Sequence, residues 1–272
     1  MSSIFNTVFV NPISNILLFF YHIFLVIKLP GAFGFSIIAL TVFIRLLLQP
    51  FFHKQMETAQ KMQNLKPHLD NLSKKHGKDK TKLQAEQARL FQEHGVNPAG
   101  GCLLIIVQIP VFIALYNTLF NLFSHGQVQV IRELNQRVYA PFLKVTSIDP
   151  QFFGFNLALS PQSAKIWYYY LIPVVTGLLQ YLLTTMTMPA APKSSALASV
   201  EKGKEKSDNS GDFQKALNTQ MKYVFPVLIG WFAFGLPVGL SLYWNIFSIF
   251  GILQQRALKS KSDSTSTLAG DK

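Results

Sequence analysis

Arg45 is the residue whose chemistry most needs an explanation. It stands inside an apolar run, with Ser36 to Ile44 before it and Leu46 to Leu48 after it. A guanidinium at the centre of a hydrocarbon layer costs about 2.5–3.5 kcal/mol on insertion scales, so such a residue faces water, a partner or a guest. No other charged residue falls inside an apolar run; Lys222 and Arg256 stand at the ends of theirs. Arg45 therefore has no carboxylate at its own depth, and two readings stay open. Only about seven residues, roughly 10 Å of helical rise, separate it from His53, short enough for the side chain to snorkel to the aqueous side. The other reading is an unpaired charge in a groove that water enters from the cytoplasm, where an anionic guest binds.

Thr41 lies four residues before Arg45 and shares its helix face. Further polar groups inside or beside apolar runs are Gln49, Gln108, Asn117, Gln180, Trp244, Asn245 and Ser248. Singly, each is accounted for by hydrogen bonding between helices. Collectively they could line the groove.

The elements that position these groups are membrane spans. Of 272 residues, 49% are hydrophobic and 14% charged, and the mean hydropathy is +0.26. The apolar residues cluster in runs near the ~20 residues that cross ~30 Å of hydrocarbon. They predict five transmembrane helices at about 34–52, 98–123, 166–188, 217–234 and 237–255, the last two separated by the break Gly235-Leu-Pro237. The class is all-α, a polytopic membrane protein with a groove open to the cytoplasm. Residues 1–32 read as an interfacial amphipathic helix, because Pro12 leaves only about 15 residues before Lys28, short for a span. No lysine or arginine precedes that stretch and no A-x-A-like site follows it, so the segment reads as retained. A single cysteine, Cys102, excludes an internal disulfide.

The net charge of +12 raises nucleic-acid binding, but the basic residues lie between the apolar runs, which points to topology and to anionic lipids instead. Segment 53–97 carries nine Lys/Arg and segment 189–220 five, whereas residues 124–165 carry four. The positive-inside rule then puts 53–97, 189–216 and the C-terminus in the cytoplasm of a cell-membrane protein, with 124–165 outside. Within 53–97, Met62, Leu65, Leu69 and Leu72 recur at helical spacing, and Leu83 and Leu90 continue it after His76-Gly77. Two amphipathic helices joined at that glycine predict a cytoplasmic hairpin, with Pro67 kinking its first arm. Residues 189–212 read as a flexible loop and 257–272 as a disordered basic tail.

Three stretches carry a family likeness. Thr41-Val-Phe-Ile-Arg45-Leu-Leu-Leu-Gln-Pro50, the run from Asn97 to Tyr116, and Gly235-Leu-Pro-Val-Gly-Leu-Ser-Leu-Tyr-Trp244 onward to Gln255 resemble the YidC/Oxa1/Alb3 family of membrane protein insertases, in the family's order. The resemblance spans about residues 33–256. It implies an insertase and chaperone, not an enzyme and without cofactors or ATP, that moves hydrophilic segments of nascent membrane proteins across the bilayer. It implies that Arg45 attracts acidic or polar client segments. A slide for the client's transmembrane helix falls, by motif, on Thr41, Ile109, Phe112 and Trp244. The hairpin 53–97 resembles the region that receives clients from the ribosome, and the Sec translocon is a further candidate partner. Two departures are the lack of a cysteine before Cys102 to carry a lipid, and only about thirty residues, by the span lengths above, before the first span.

Rival readings are weaker. Gly239-Leu-Ser241 resembles an intramembrane protease nucleophile, but no histidine follows His125, and neither H-E-x-x-H nor a P-loop occurs. A small-anion transporter could use Arg45, yet the repeated halves common in transporters are missing. The topology is tested by cysteine labelling in a Cys102→Ser background. A cysteine at Lys75 is expected to resist an impermeant thiol reagent added to intact cells, and one at Arg137 to react; labelling at 75 from outside overturns the orientation.

Overall fold

Two prolines shape the first helices. The computed structural model describes residues 2–76, 79–96, 109–117, 127–187 and 220–269. Helix α1 (Asn11–Val26) has Pro12 in its first turn and is preceded by a helical turn, Ser2–Phe5, and a π-helical turn, Asn6–Val10. Proline cannot donate to the turn before it and its ring crowds the carbonyl four residues back. The wider π turn relieves that crowding, and the Asn11 amide bonds to the Asn6 carbonyl. The run Asn6–Val26 is thus 21 uninterrupted residues with a mean hydropathy of 1.7, long and apolar enough to cross a membrane. The interfacial helix expected over 1–32 counts only the residues after Pro12, whereas the helical backbone runs through that proline.

The chain reverses at Gly31, whose φ of 75° is left-handed, and returns as α2 (Ala32–Leu47), packed against α1. A Cβ at Gly34 would run into the Phe152 ring, so the ring seats directly on that backbone. The apolar run predicts a helix through Phe52, but α2 stops at Leu47 and α3 (Gln49–His76) leaves at 69°. Pro50 has no amide to continue the ladder and disfavours helical geometry at the residue before it, so the ladder restarts with Phe51 and Phe52 donating to the Leu48 carbonyl. Helix α3 runs through Pro67 as one element and pairs with α4 (Lys80–Glu93), which Asp79 caps by accepting from the Lys82 amide at 3.1 Å. Leu65, Phe91 and Val96 form a small core of their own with Met62, Leu69 and Leu90. The hairpin expected over 53–97 therefore has both arms; its joint at Gly77 lies outside the described residues.

Of the run 98–123, residues 109–117 are described and helical, here α5. The segment expected as a loop over 124–165 carries α6 (Gln127–Gln136) and an antiparallel pair, β1 (Gln151–Phe152) and β2 (Phe155–Asn156), with Gln151 opposite Asn156. Asn15 ties this segment to α1: its Nδ2 donates to the Arg137 carbonyl at 3.0 Å and its Oδ1 accepts from the Tyr139 amide at 2.7 Å.

Helix α7 (Leu171–Thr187) continues a 3-10 turn, Trp167–Tyr170, to give a second 21-residue run long and apolar enough to span. Helices α8 (Phe225–Gly235) and α9 (Val238–Ala269) flank the break at Leu236-Pro237, where the sequence places it. Helix α9 is continuous to Ala269, although composition predicts a disordered tail from 257; once a helix is nucleated, each added residue gains a hydrogen bond. Residues 189–216 lie outside the described residues. Helix α9 packs on both α2 and α7, and α7 packs on α8.

The α7–α8 contact depends on two glycines. A Cβ at Gly230 would lie 3.1 Å from the Pro173 carbonyl oxygen, and one at Gly177 would lie 3.3 Å from that of Pro226. Small residues let membrane helices approach this closely. Gly230→Val is expected to force the pair apart and cost about 1–3 kcal/mol, read as a lower midpoint of thermal unfolding in detergent.

Candidate functional site

Because Pro50 ends α2 at Leu47, Arg45 sits in the last helical turn instead of mid-span. A cation there meets the negative end of the helix dipole. The side chain crosses to α9 and is only 3% exposed. Nη2 donates to the Phe247 carbonyl at 2.7 Å and Nη1 to Gln254 Oε1 at 3.3 Å. The guanidinium carbon lies 3.6 Å from the Phe247 ring centroid and 4.5 Å from that of Phe52. Those two rings meet at 5.9 Å and 74°, so the cation is held between a ring on α9 and a ring on α3. A desolvated cation over an aromatic face gains about 2 kcal/mol or more.

Neither sequence-level reading describes this arrangement. The side chain does not snorkel, and it does not stand open to solvent. Among the described residues the ion pairs are His53–Glu57 and Arg89–Glu93, both on the exposed hairpin, so Arg45 has no carboxylate there. Its Nε is buried without a hydrogen-bond partner among the described residues. The cation is therefore satisfied in part, by neutral acceptors and ring faces.

A second face of α9, turned from the one that meets Arg45, is polar. Ser241, Asn245, Ser248 and Gln255 follow at helical spacing on one side of the helix. Each carries a buried side-chain oxygen without a partner among the described residues. Four such oxygens on one stripe, on the same helix that holds the guanidinium, make a polar seam in a largely apolar bundle. Polar groups at this depth belong where water or a guest reaches them.

The other expected residues divide. Gln180 and Trp244 meet: the indole N–H donates to Gln180 Oε1 at 2.9 Å, while Gln180 Nε2 donates to the Thr184 hydroxyl at 3.2 Å. The Trp244 ring also stands edge-on to Phe112 at 5.5 Å, which links α7, α9 and α5. Ile109 is exposed. Thr41 is fully buried and donates to the Ile37 carbonyl of its own helix at 2.6 Å. Gln49 is exposed at the start of α3, away from the seam residues' burial. Gln108 lies outside the described residues. Sequence reasoning missed Phe52, Phe247, Gly251 and Gln254, the groups that touch Arg45. A phenylalanine in an apolar run carries no signal of its own; Gln254, at the end of the third family-like stretch, was the one visible clue.

A sequence model of the family described as 60Kd inner membrane protein matches residues 24–265. The chain is 33% identical over 261 residues to the membrane protein insertase YidC of Oceanobacillus iheyensis, covering 92% of this chain and 82% of that protein. It is 29% identical over 275 residues to the membrane protein insertase YidC 1 of Halalkalibacterium halodurans, covering 98% and 84%. Against the inner membrane ALBINO3-like protein 2, chloroplastic, of Chlamydomonas reinhardtii it is 32% identical over 238 residues, covering 86% of this chain and 51% of that one.

The Trp244–Gln180 bond makes a direct test of the seam's packing. Trp244→Phe keeps the ring but removes the donor, leaving a buried acceptor bare at a cost of about 1–3 kcal/mol. Adding Gln180→Leu removes the bare acceptor as well, and the double variant is expected to unfold closer to wild type than Trp244→Phe alone.

Proposed function

The chain belongs to the family described as 60Kd inner membrane protein, that of the YidC/Oxa1/Alb3 insertases, and from that premise we propose that it inserts nascent membrane proteins with Arg45 as the charge that draws in their hydrophilic segments. One observation carries the reading: a buried guanidinium held by a carbonyl, an amide oxygen and two rings, with Nε lacking a partner among the described residues. A client carboxylate offers charge-assisted hydrogen bonds, roughly twice as strong as those to neutral acceptors. Exchange of Phe247 and Gln254 for an acidic client group is then favourable, and reversible because the neutral acceptors remain in place. The partnerless oxygens of Asn245 and Gln255 supply acceptors for client backbone N–H groups, which offsets part of the cost of bringing peptide into a dry layer.

On this reading the five spans within residues 33–256 cross the cell membrane, with the groove, hairpin and C-terminus on the cytoplasmic side. Thr41, Ile109, Phe112 and Trp244 form the slide for the client's apolar helix, while Gln49, Gln108 and Gln180 belong to the groove's polar wall. The hairpin 53–97 receives clients from the ribosome, with the Sec translocon beside it and anionic lipids against the basic loops. No ATP is needed: binding at Arg45 and release of the client helix into lipid supply the driving force. A small-anion transporter has no specific observation in its favour.

Variants at Arg45 test the reading with two clients that differ only in acidic residues of the translocated segment. Arg45→Lys is expected to keep much of the activity. Arg45→Ala should slow insertion of the acidic client about tenfold, the loss of one hydrogen bond to a charged group. Arg45→Glu should be worse still through like-charge repulsion. Equal insertion of the acidic client by the Ala and Lys variants, at equal protein abundance, would falsify the electrostatic role.

A further inference from the structure

In an α-helix the carbonyl of one residue is bonded to the amide four residues later, and the side chain of that later residue stands beside it. Phe247 and Gly251 are such a pair on α9. Arg45 Nη2 reaches the Phe247 carbonyl from outside the helix, at 2.7 Å. It can do so because residue 251 has no side chain. A Cβ there would lie 2.8 Å from Arg45 Nη2, closer than real Cβ contacts come, and 2.9 Å from Leu183 Cδ1, but 3.6 Å from Arg45 Cζ, an ordinary contact. Neither near contact is with backbone, so the fold could adapt. What would have to move is the outer nitrogen of the guanidinium itself.

We propose that Gly251 is a positioning residue for Arg45: its bare backbone is the shelf on which the guanidinium lies flat, with the Phe247 ring below it and the Phe247 carbonyl at its edge. The shelf fixes the depth and direction of the only charge inside the apolar runs. Any side chain at 251 pushes Nη2 off the Phe247 carbonyl and swings the charge away from Gln254. The inference rests on Arg45 carrying client recognition.

The geometry separates this role from simple loss of packing. A lysine at 45 ends near the place of Cζ and lacks the lateral nitrogen that meets the new Cβ. Gly251→Ala and Gly251→Val are therefore measured alone, with Arg45→Lys and with Leu183→Ala, in the full chain in proteoliposomes, using the acidic client and its neutral counterpart. Gly251→Ala is expected to slow the acidic client about three- to tenfold while changing the neutral one less than about twofold. Adding Arg45→Lys should recover the acidic client towards the rate of Arg45→Lys alone, and adding Leu183→Ala should not. Should Gly251→Val fail to accumulate, Gly251→Ala and its two doubles carry the test. Equal losses on both clients, or recovery by Leu183→Ala, assign Gly251 to packing and overturn the proposal. A wild-type rate for Gly251→Val with a slow Arg45→Ala overturns it and leaves the function of Arg45 standing. A wild-type rate for Arg45→Ala removes both.

Discussion

A guanidinium buried in a helical bundle, with no carboxylate against it among the described residues, has to be satisfied by dipoles and ring faces. These groups are directional and short in reach, so they must come from elements held close to it. Arg45 takes a carbonyl and an amide oxygen from α9 and ring faces from Phe247 on α9 and Phe52 on α3. The positions of α2, α3 and α9 are therefore tied to one side chain. A full-strength ion pair there would favour the resting state and compete with any acidic guest. Neutral partners hold the cation and leave it able to exchange them.

Two backbone irregularities make that arrangement possible. Pro50 stops α2 one turn early and turns α3 by 69°, which brings Phe52 round onto the guanidinium from the hairpin side. Gly251 bares the α9 backbone, so a carbonyl already used within its helix can take a second donor. The same logic operates at Gly177 and Gly230, where bare backbone permits helix contact, and at Gly34, where it receives the Phe152 ring. Apolar area alone does little to select among helix arrangements inside lipid, since lipid tails are as apolar as leucine. Close backbone approach and a few polar contacts carry the selectivity instead. The Asn15 and Trp244 bonds belong to the latter group.

The proposed function uses the seam in a way that agrees with its incomplete satisfaction. A fully bonded polar network would rigidify the bundle. In the proposed function, the oxygens of Ser241, Asn245, Ser248 and Gln255 that lack partners among the described residues, and Arg45 Nε, are the groups that exchange partners with a peptide. In the same proposal, the Trp244–Phe112 ring pair is the surface for the client's apolar helix.

Much was legible in the sequence because lipid imposes a strong, nearly one-dimensional rule. Long apolar runs must be helices, a charge inside one is conspicuous, and Gly235-Leu-Pro237 had to break the chain between α8 and α9. The helical class, the hairpin arms and the singularity of Arg45 all follow from such local patterns, and so does the family likeness. What tertiary structure alone decided is where the charge goes and what it touches. By sequence Pro12 shortens the first apolar run, but the helix passes through it behind a π turn; by sequence Pro50 lies within a span, but the chain bends there. Gln49 and Thr41 shared the motif of Arg45, yet one is exposed and the other bonds its own helix, while Phe247 and Gly251, silent in the sequence, form its seat. The reason is physical: periodicity reports which residues shun water, whereas the partner of a buried cation is chosen by ångström-scale approach between helices far apart in the chain.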